Sequence, residues 1–300
     1  MWRPALFALL AFELFSPRMA SAEIYGSGWY REVQLSVGHE SNVPRSYKPT
    51  DETKDTMVSA QAGLGYSQKA GDHLQYVVTG YVDHTAHETF DALDHTTLSV
   101  SGRLIWQPKV DYNAIWYESR AEVTRFEYRR SDPREGYLLT GDASLNRRLG
   151  LRWIGHLGYR YLDFVLDKDD VQANRDAAFD IARHEIYAGL EYQLSRRVWL
   201  SGTWGFQHGG FTASSSISPG EIQYDADTKD WAFESCSIIR CVPFYAYRSI
   251  TDIHTVDLAV VFPVANLDAD LSVRYFDASS DNDLEYDDWL VQLGVIWTFQ

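Results

Sequence analysis

From Met57 to Phe299 the chain repeats one unit: about ten residues of alternating apolar and polar side chains, a short turn, ten more such residues, then a longer polar connection. Alternation with period two gives a strand one oily and one wet face. The pattern begins near Tyr30 with Val33, Leu35 and Val37 and continues through Val58 to Leu64, Leu98 to Leu104, Leu157 to Tyr161 and Val256 to Phe262. It closes on Trp289, Val291, Leu293, Val295, Trp297 and Phe299. A long series of such strands satisfies its backbone in lipid only by closing into a ring. The expectation is an all-β fold, a transmembrane antiparallel up-and-down β-barrel of about 12 strands. Short periplasmic turns near residues 68–73, 107–111, 147–150, 195–197 and 263–266 would alternate with long extracellular loops after strands one, three, five, seven, nine and eleven.

The aromatic content of 14% suits girdles at the two membrane interfaces, and no run of 18 apolar residues offers a spanning helix. Arg3, an apolar stretch from Pro4 to Phe15 and Ala20-Ser21-Ala22 read as a signal peptide over 1–22, leaving one barrel domain over 23–300. Removing that leader takes a net +1 from the formal charge of −15, which leaves −16 and argues against nucleic acid as a partner. Acids at Asp163–Asp170 and Asp277–Asp288 fall in expected outer loops, where they keep the loops solvated or, through divalent cations, meet lipopolysaccharide. The expected surroundings are outer-membrane lipids and lipopolysaccharide, and the expected state is monomeric or weakly associated. Cys236 and Cys241 share one long loop, His208 to about Arg248, and in an exported chain are read as a local disulfide.

The final strand, Trp289 to Phe299 with aromatics on its outward parity, resembles the C-terminal signature by which Gram-negative outer-membrane barrels are recognised for assembly. Gln300 departs from that pattern, which ends on the aromatic. The resemblance implies the barrel assembly machinery as a partner. A second segment, Gly38-His39-Glu40-Ser41-Asn42-Val43, is similar to the stretch after the first strand in barrel domains linked to surface-lipoprotein or polysaccharide export.

The inward parity is rich in charge: Arg103, Arg120, Arg152, Arg160 and Arg274 beside Glu118, Glu122, Asp142, Glu191, Asp257 and Asp270. Such a lining makes a narrow selective pore, or its charges pair and fill the lumen. An enzyme reading has a rim cluster of Asp83, His84, His87, Asp94 and His95, where acid and imidazole pairs could activate water, and a weaker candidate in His39-Glu40-Ser41 at the end of strand one. No spacing of a metal, phosphate or cofactor motif occurs, so none is expected. The function read from the sequence is a narrow channel or export conduit for small hydrophilic solutes, anionic ones included. A closed barrel whose loops bind a surface polymer or protein, and a rim hydrolase, are the alternatives.

Overall fold

The computed structural model describes residues 27–167, 176–218, 220, 224–236, 241–281 and 284–299. The leader and its cleavage site lie outside them. Nine strands follow in order: β1 (Gly28–Glu40), β2 (Asp55–Ala70), β3 (Leu74–His87), β4 (His95–Trp106), β5 (Ile115–Tyr128), β6 (Gly136–Arg148), β7 (Trp153–Leu166), β8 (Ile181–Gln193) and β9 (Trp199–Ser215). Three short loop strands come next, β10 (Ala226–Lys229), β11 (Ser235–Cys236) and β12 (Cys241–Val242), and then β13 (Tyr245–Val264), β14 (Leu267–Ser280) and β15 (Glu285–Phe299). Each long strand pairs antiparallel with its neighbours, β9 pairs with β13, and β15 returns to β1 from Arg31↔Phe299 to Glu40↔Leu290. Twelve long strands therefore close a ring with no free edge.

The outward parity matches the expected apolar one. Val58, Leu64, Val82, Leu98, Val100, Leu157, Leu258 and Leu293 all face out and are exposed, while their neighbours in sequence turn inward. Cross-strand aromatic pairs mark the two ends of this belt. Trp29 meets Tyr66, Trp106 meets Tyr117 and Trp153 meets Tyr192 at the short-turn end, with ring centroids 4.5–5.3 Å apart. Tyr275 meets Trp289 at 4.5 Å toward the other end. Trp289 and Trp297 lie eight residues apart on β15, roughly 26 Å of extended strand or about 20 Å of height at a tilt near 40°, close to an outer-membrane apolar band.

Three expectations need correction. The connection after β14 is not a long loop: β14 and β15 stay paired to Ser279↔Glu285, and Asp277 and Asp287 sit opposite each other in the ladder. Strand pairing needs no apolar side chains once it has left the lipid, so an acidic hairpin continues into water. The loop expected from His208 to Arg248 is likewise shorter, because β9 and β13 pair as far as Ser215↔Tyr245. Arg152, expected in the lumen, lies exposed in the turn before β7, where its carbonyl accepts from the Gln193 N–H at 2.8 Å.

One glycine is demanded by a neighbour. Gly158 on β7 sits opposite Tyr187 on β8, and a Cβ there would meet the Tyr187 ring carbon Cζ at 2.2 Å. The missing side chain lets the phenol lie flat on the inner wall and donate to both oxygens of Asp142 at 3.0 Å. Gly158→Val is expected to push Tyr187 off the wall and lower stability by about 1–3 kcal/mol. The shift of the unfolding midpoint by heat-modifiable gel mobility or urea measures it, and an unchanged midpoint would refute the packing argument.

Candidate functional site

A row of polar side chains crosses half the inner wall. Register places Arg103 opposite Arg120, Arg120 opposite Asp142, Asp142 opposite Arg160, Arg160 opposite Glu185 and Glu185 opposite Gln207, one residue from each of β4 to β9. Two like charges face each other at its start, and each turns along the wall to an acid. Arg103 Nη2 donates to Glu118 at 2.7 Å, and Arg120 pairs with Glu122. At its centre Arg160 donates from Nε to Asp142 and from Nη1 to Glu185, both at 3.0 Å, and lies over the Tyr187 ring at 5.0 Å. Arg274 pairs with Asp257 further round, on β14 and β13. Asp270 and Glu191 are buried on the same inward parity.

The facing wall differs. On β1 to β3 the inward positions include Gln34, Ser36, Ser59, Gln61 and Thr79, which are amides and hydroxyls. Arginine–carboxylate pairs thus mark β4 to β9, whereas β1 to β3 mix amides and hydroxyls with the inward carboxylates Glu32, Glu40, Asp55 and Asp83. Arg103 and Glu118 are each 16% exposed, and Arg120 and Asp257 22%, so these inward groups keep a small part of their surface open to the lumen. Glu185, the acid at the centre of the row, was not among the expected residues. It stands on the same parity as Glu191, three pleat repeats nearer the loops, and that parity was its signal.

The long-loop end is capped. Val43 from the loop after β1, Phe90, Ala92 and Leu93 from the loop after β3, and Ala232, Phe233 and Phe244 from the β9–β13 connection form one apolar cluster. Phe90 and Phe233, 5.0 Å apart, join loops that leave opposite sides of the ring. Each loop has a polar anchor. Asp288 accepts from the Ser41 and Asn42 N–H groups and, at 2.6 Å, from the Ser41 hydroxyl, and Asn42 clamps Ser46 through its side-chain amide. The Gly38–Val43 motif is thus where β1 turns over the mouth. Asp55 holds His87 Nδ1 at 2.8 Å and accepts from the Thr89 N–H, fixing the loop after β3.

Asp51 is the far anchor of the first loop. It takes the Ser216 N–H at 2.7 Å and the Ser215 and Ser216 hydroxyls at 2.8 and 2.9 Å, with Lys48 at 3.5 Å. Burial pushes this carboxyl up, but those donors and Lys48 outweigh it and hold it below its ordinary 3.8. A depressed folded value means that the anchorage is complete above the ordinary carboxylate range and is lost as pH falls through the lower folded value. The cap is therefore expected to hold from pH 8 down to about 4 and to release only below that. Asp51→Asn removes the charge at every pH, at a cost of about 1.5 kcal/mol or more. Cleavage after Glu52 by a glutamate-specific endoproteinase at neutral pH should then rise about tenfold, and equal rates would refute the anchor.

The rim cluster does not assemble as one group. Alternation along β3 turns Asp83 and His87 inward but leaves His84 exposed on the outer face, bonded to Thr96 at 2.9 Å. His95 is buried between Phe126 and Tyr128, and Asp94 accepts the His87 backbone N–H. His87 finds Asp55 instead, a partner from β2 that spacing along β3 and β4 could not reveal. No group of three metal-ligating side chains occurs among the described residues. Cys236 and Cys241 face each other in the β11–β12 pair.

A closed antiparallel ring of 12 strands, with a polar interior and an apolar belt between aromatic girdles, defines an outer-membrane β-barrel. No protein-family model matches the chain, and no curated protein matches it in sequence. The fold is that of an outer-membrane channel from Pseudomonas putida F1, with a TM-score of 0.57 and 11% identity over 93% of this chain and 98% of that one. More distant are the Pseudomonas putida toluene transporter TodX (TM-score 0.44, 9% identity, 91% of this chain and 90% of that one) and the translocator domain of the autotransporter NalP from Neisseria meningitidis (0.40, 11%, 92% and 90%).

Proposed function

We propose that this protein is a narrow channel or export conduit in the outer membrane for small hydrophilic solutes, anionic ones included. The observation that carries the reading is the direction of the charge pairs. Arg103–Glu118, Arg120–Glu122, Arg160–Asp142, Arg160–Glu185 and Arg274–Asp257 each join the same or adjacent strands, so none of these pairs reaches across the lumen. Pairs that fill a lumen would have to cross it. Width and the charged wall discriminate, and the three-loop cap constricts the mouth. The fold it shares with the Pseudomonas putida F1 protein, itself an outer-membrane channel, agrees with this reading.

The proposal includes export by a leader cleaved after Ala22, insertion by the barrel assembly machinery, lipopolysaccharide around the loops and a Cys236–Cys241 disulfide that staples the cap. Planar-bilayer conductance of the refolded mature chain tests the channel. Discrete ion-selective steps are expected; a folded but silent barrel would overturn it and move the function to the outer loops.

A further inference from the structure

Beneath the cap, on the loop side of the charged row, lies a pocket lined by Val43, Arg45, Phe179, Arg183, Phe211 and Phe233 among others. Two of its walls are guanidinium groups. Arg45 and Arg183 are 8% and 6% exposed, and the Nε of each is buried without a hydrogen-bond partner among the described residues. Arg183 Nη1 donates to Gln207 at 3.2 Å, a neutral acceptor, and Arg183 makes no ion pair among those residues. Arg45 has Glu40 Oε1 at 4.0 Å from Nη2, the outer limit of an ion pair. Both cations stack on one ring, Phe211, at 5.3 and 5.5 Å, and Arg45 also lies over Phe276 at 5.6 Å. The third arginine of the pocket, Arg134, is already paired with Asp230.

The nearest carboxylates are Glu40, at 4.0 Å, and Glu185, two residues along β8 and already held by Arg160. The two buried guanidinium groups are therefore only partly balanced, which folding tolerates poorly unless something else supplies an anion. The backbone holds one of them in place at a cost. Arg45 has φ +55°, a left-handed conformation that side chains other than glycine seldom adopt, and it is held there by its N–H to Asn42 O at 2.8 Å and by the Asn42–Ser46 clamp. A strained, pinned arginine facing a pocket is what pre-organised binding needs. Val43, Leu93, Phe179, Ile181, Phe211 and Phe233 give the pocket apolar surfaces, and Tyr128, Thr212 and Ser214 add hydroxyl groups to its lining.

We infer that this pocket is a binding site for a small organic carboxylate, whose charged end meets Arg45 and Arg183 and whose apolar body lies against the phenylalanines. The guanidinium groups supply the charge-assisted donors that a carboxylate accepts, and the phenylalanine surfaces select against a bare inorganic anion. The inference deepens the channel reading, naming a solute class recognised at the mouth, and rests on it.

Calorimetric titration of the refolded full-length mature barrel with benzoate tests the site, with benzamide as the neutral equivalent and inorganic phosphate as the bare anion. Benzoate should bind at least tenfold tighter than either, and Arg45→Gln and Arg183→Gln should each weaken it at least tenfold. Equal binding of benzoate and benzamide, tighter binding of phosphate, or unchanged affinity in Arg45→Gln would overturn the site. Arg45 lies in a loop, so its variant decides the matter even if Arg183→Gln does not fold. Bilayer conductance on the same preparation separates the two claims. An open channel that ignores benzoate overturns the site alone, and a silent barrel that binds it overturns the channel alone.

Discussion

Arg160→Gln should shift the channel toward cations by roughly tenfold in permeability ratio. Arg160 is the one cation between Asp142 and Glu185, reaching both at 3.0 Å. Its loss leaves Asp142 uncompensated on the lumen wall, with Tyr187 as its one remaining side-chain donor among the described residues, beside a buried Glu185. A unit charge about 4 Å from a passing ion is worth about 1 kcal/mol in bulk water and about 4 kcal/mol at the effective dielectric of a protein surface. Salt in the lumen screens toward the lower figure, and about 1.4 kcal/mol is a factor of ten. The reversal potential in a KCl gradient reads the change directly. Glu185 is 1% exposed, so the same substitution should also cost about 3 kcal/mol of stability by leaving a buried carboxylate unpaired. A folded variant with unchanged reversal potential would remove the row from the selectivity mechanism.

The row and the barrel were legible for one reason: side-chain period two survives wherever one face meets lipid. That constraint fixed the parity of every spanning strand, and parity alone put Arg103, Glu118, Arg120, Asp142, Arg160 and Arg274 inside the ring. It failed where the lipid ends. Asp277 and Asp287 look like loop residues because nothing there needs to be apolar, yet the ladder runs on between them. Arg152 was drawn into the lumen by the apolar rhythm of Leu151 and Trp153, although the strand begins only at Trp153.

The mouth was the least legible region. Asn42, Arg45 and Asp51 lie in a segment without periodicity, and their partners, Asp288, Phe211, Ser215 and Ser216, are more than 160 residues away in sequence. Contacts of that separation follow from ring closure, which brings β15 beside β1 and hangs the β9–β13 connection over the same opening. Arg183 was readable in principle, because it shares the inward parity of Glu185 and Tyr187 on β8. What sets it apart is that its neighbour Glu185 pairs with Arg160 instead, and only packing reveals that.

Ring closure also makes the cap separable from the barrel, and the second large effect follows from that. β9 and β13 remain paired up to Ser215↔Tyr245, so replacing residues 217–243 with a short Gly-Ser turn should leave all twelve spanning strands in place. The replacement deletes Asp230, Ala232 and Phe233, and with them the Phe90–Phe233 contact and the partner of Arg134. Val43 and Leu93 lose the apolar surface they pack against, and neither neighbouring loop can cover the mouth alone. Twelve strands about 4.8 Å apart and tilted near 40° set backbones roughly 24 Å across, so a barrel without its cap should be limited by the side chains of the charged row. Unit conductance is expected to rise about threefold or more over the intact protein, with the selectivity set by Arg160 retained. Retained selectivity with higher conductance would place constriction and discrimination at different depths; unchanged conductance would mean that the narrowest point is the row itself and that the cap serves recognition alone.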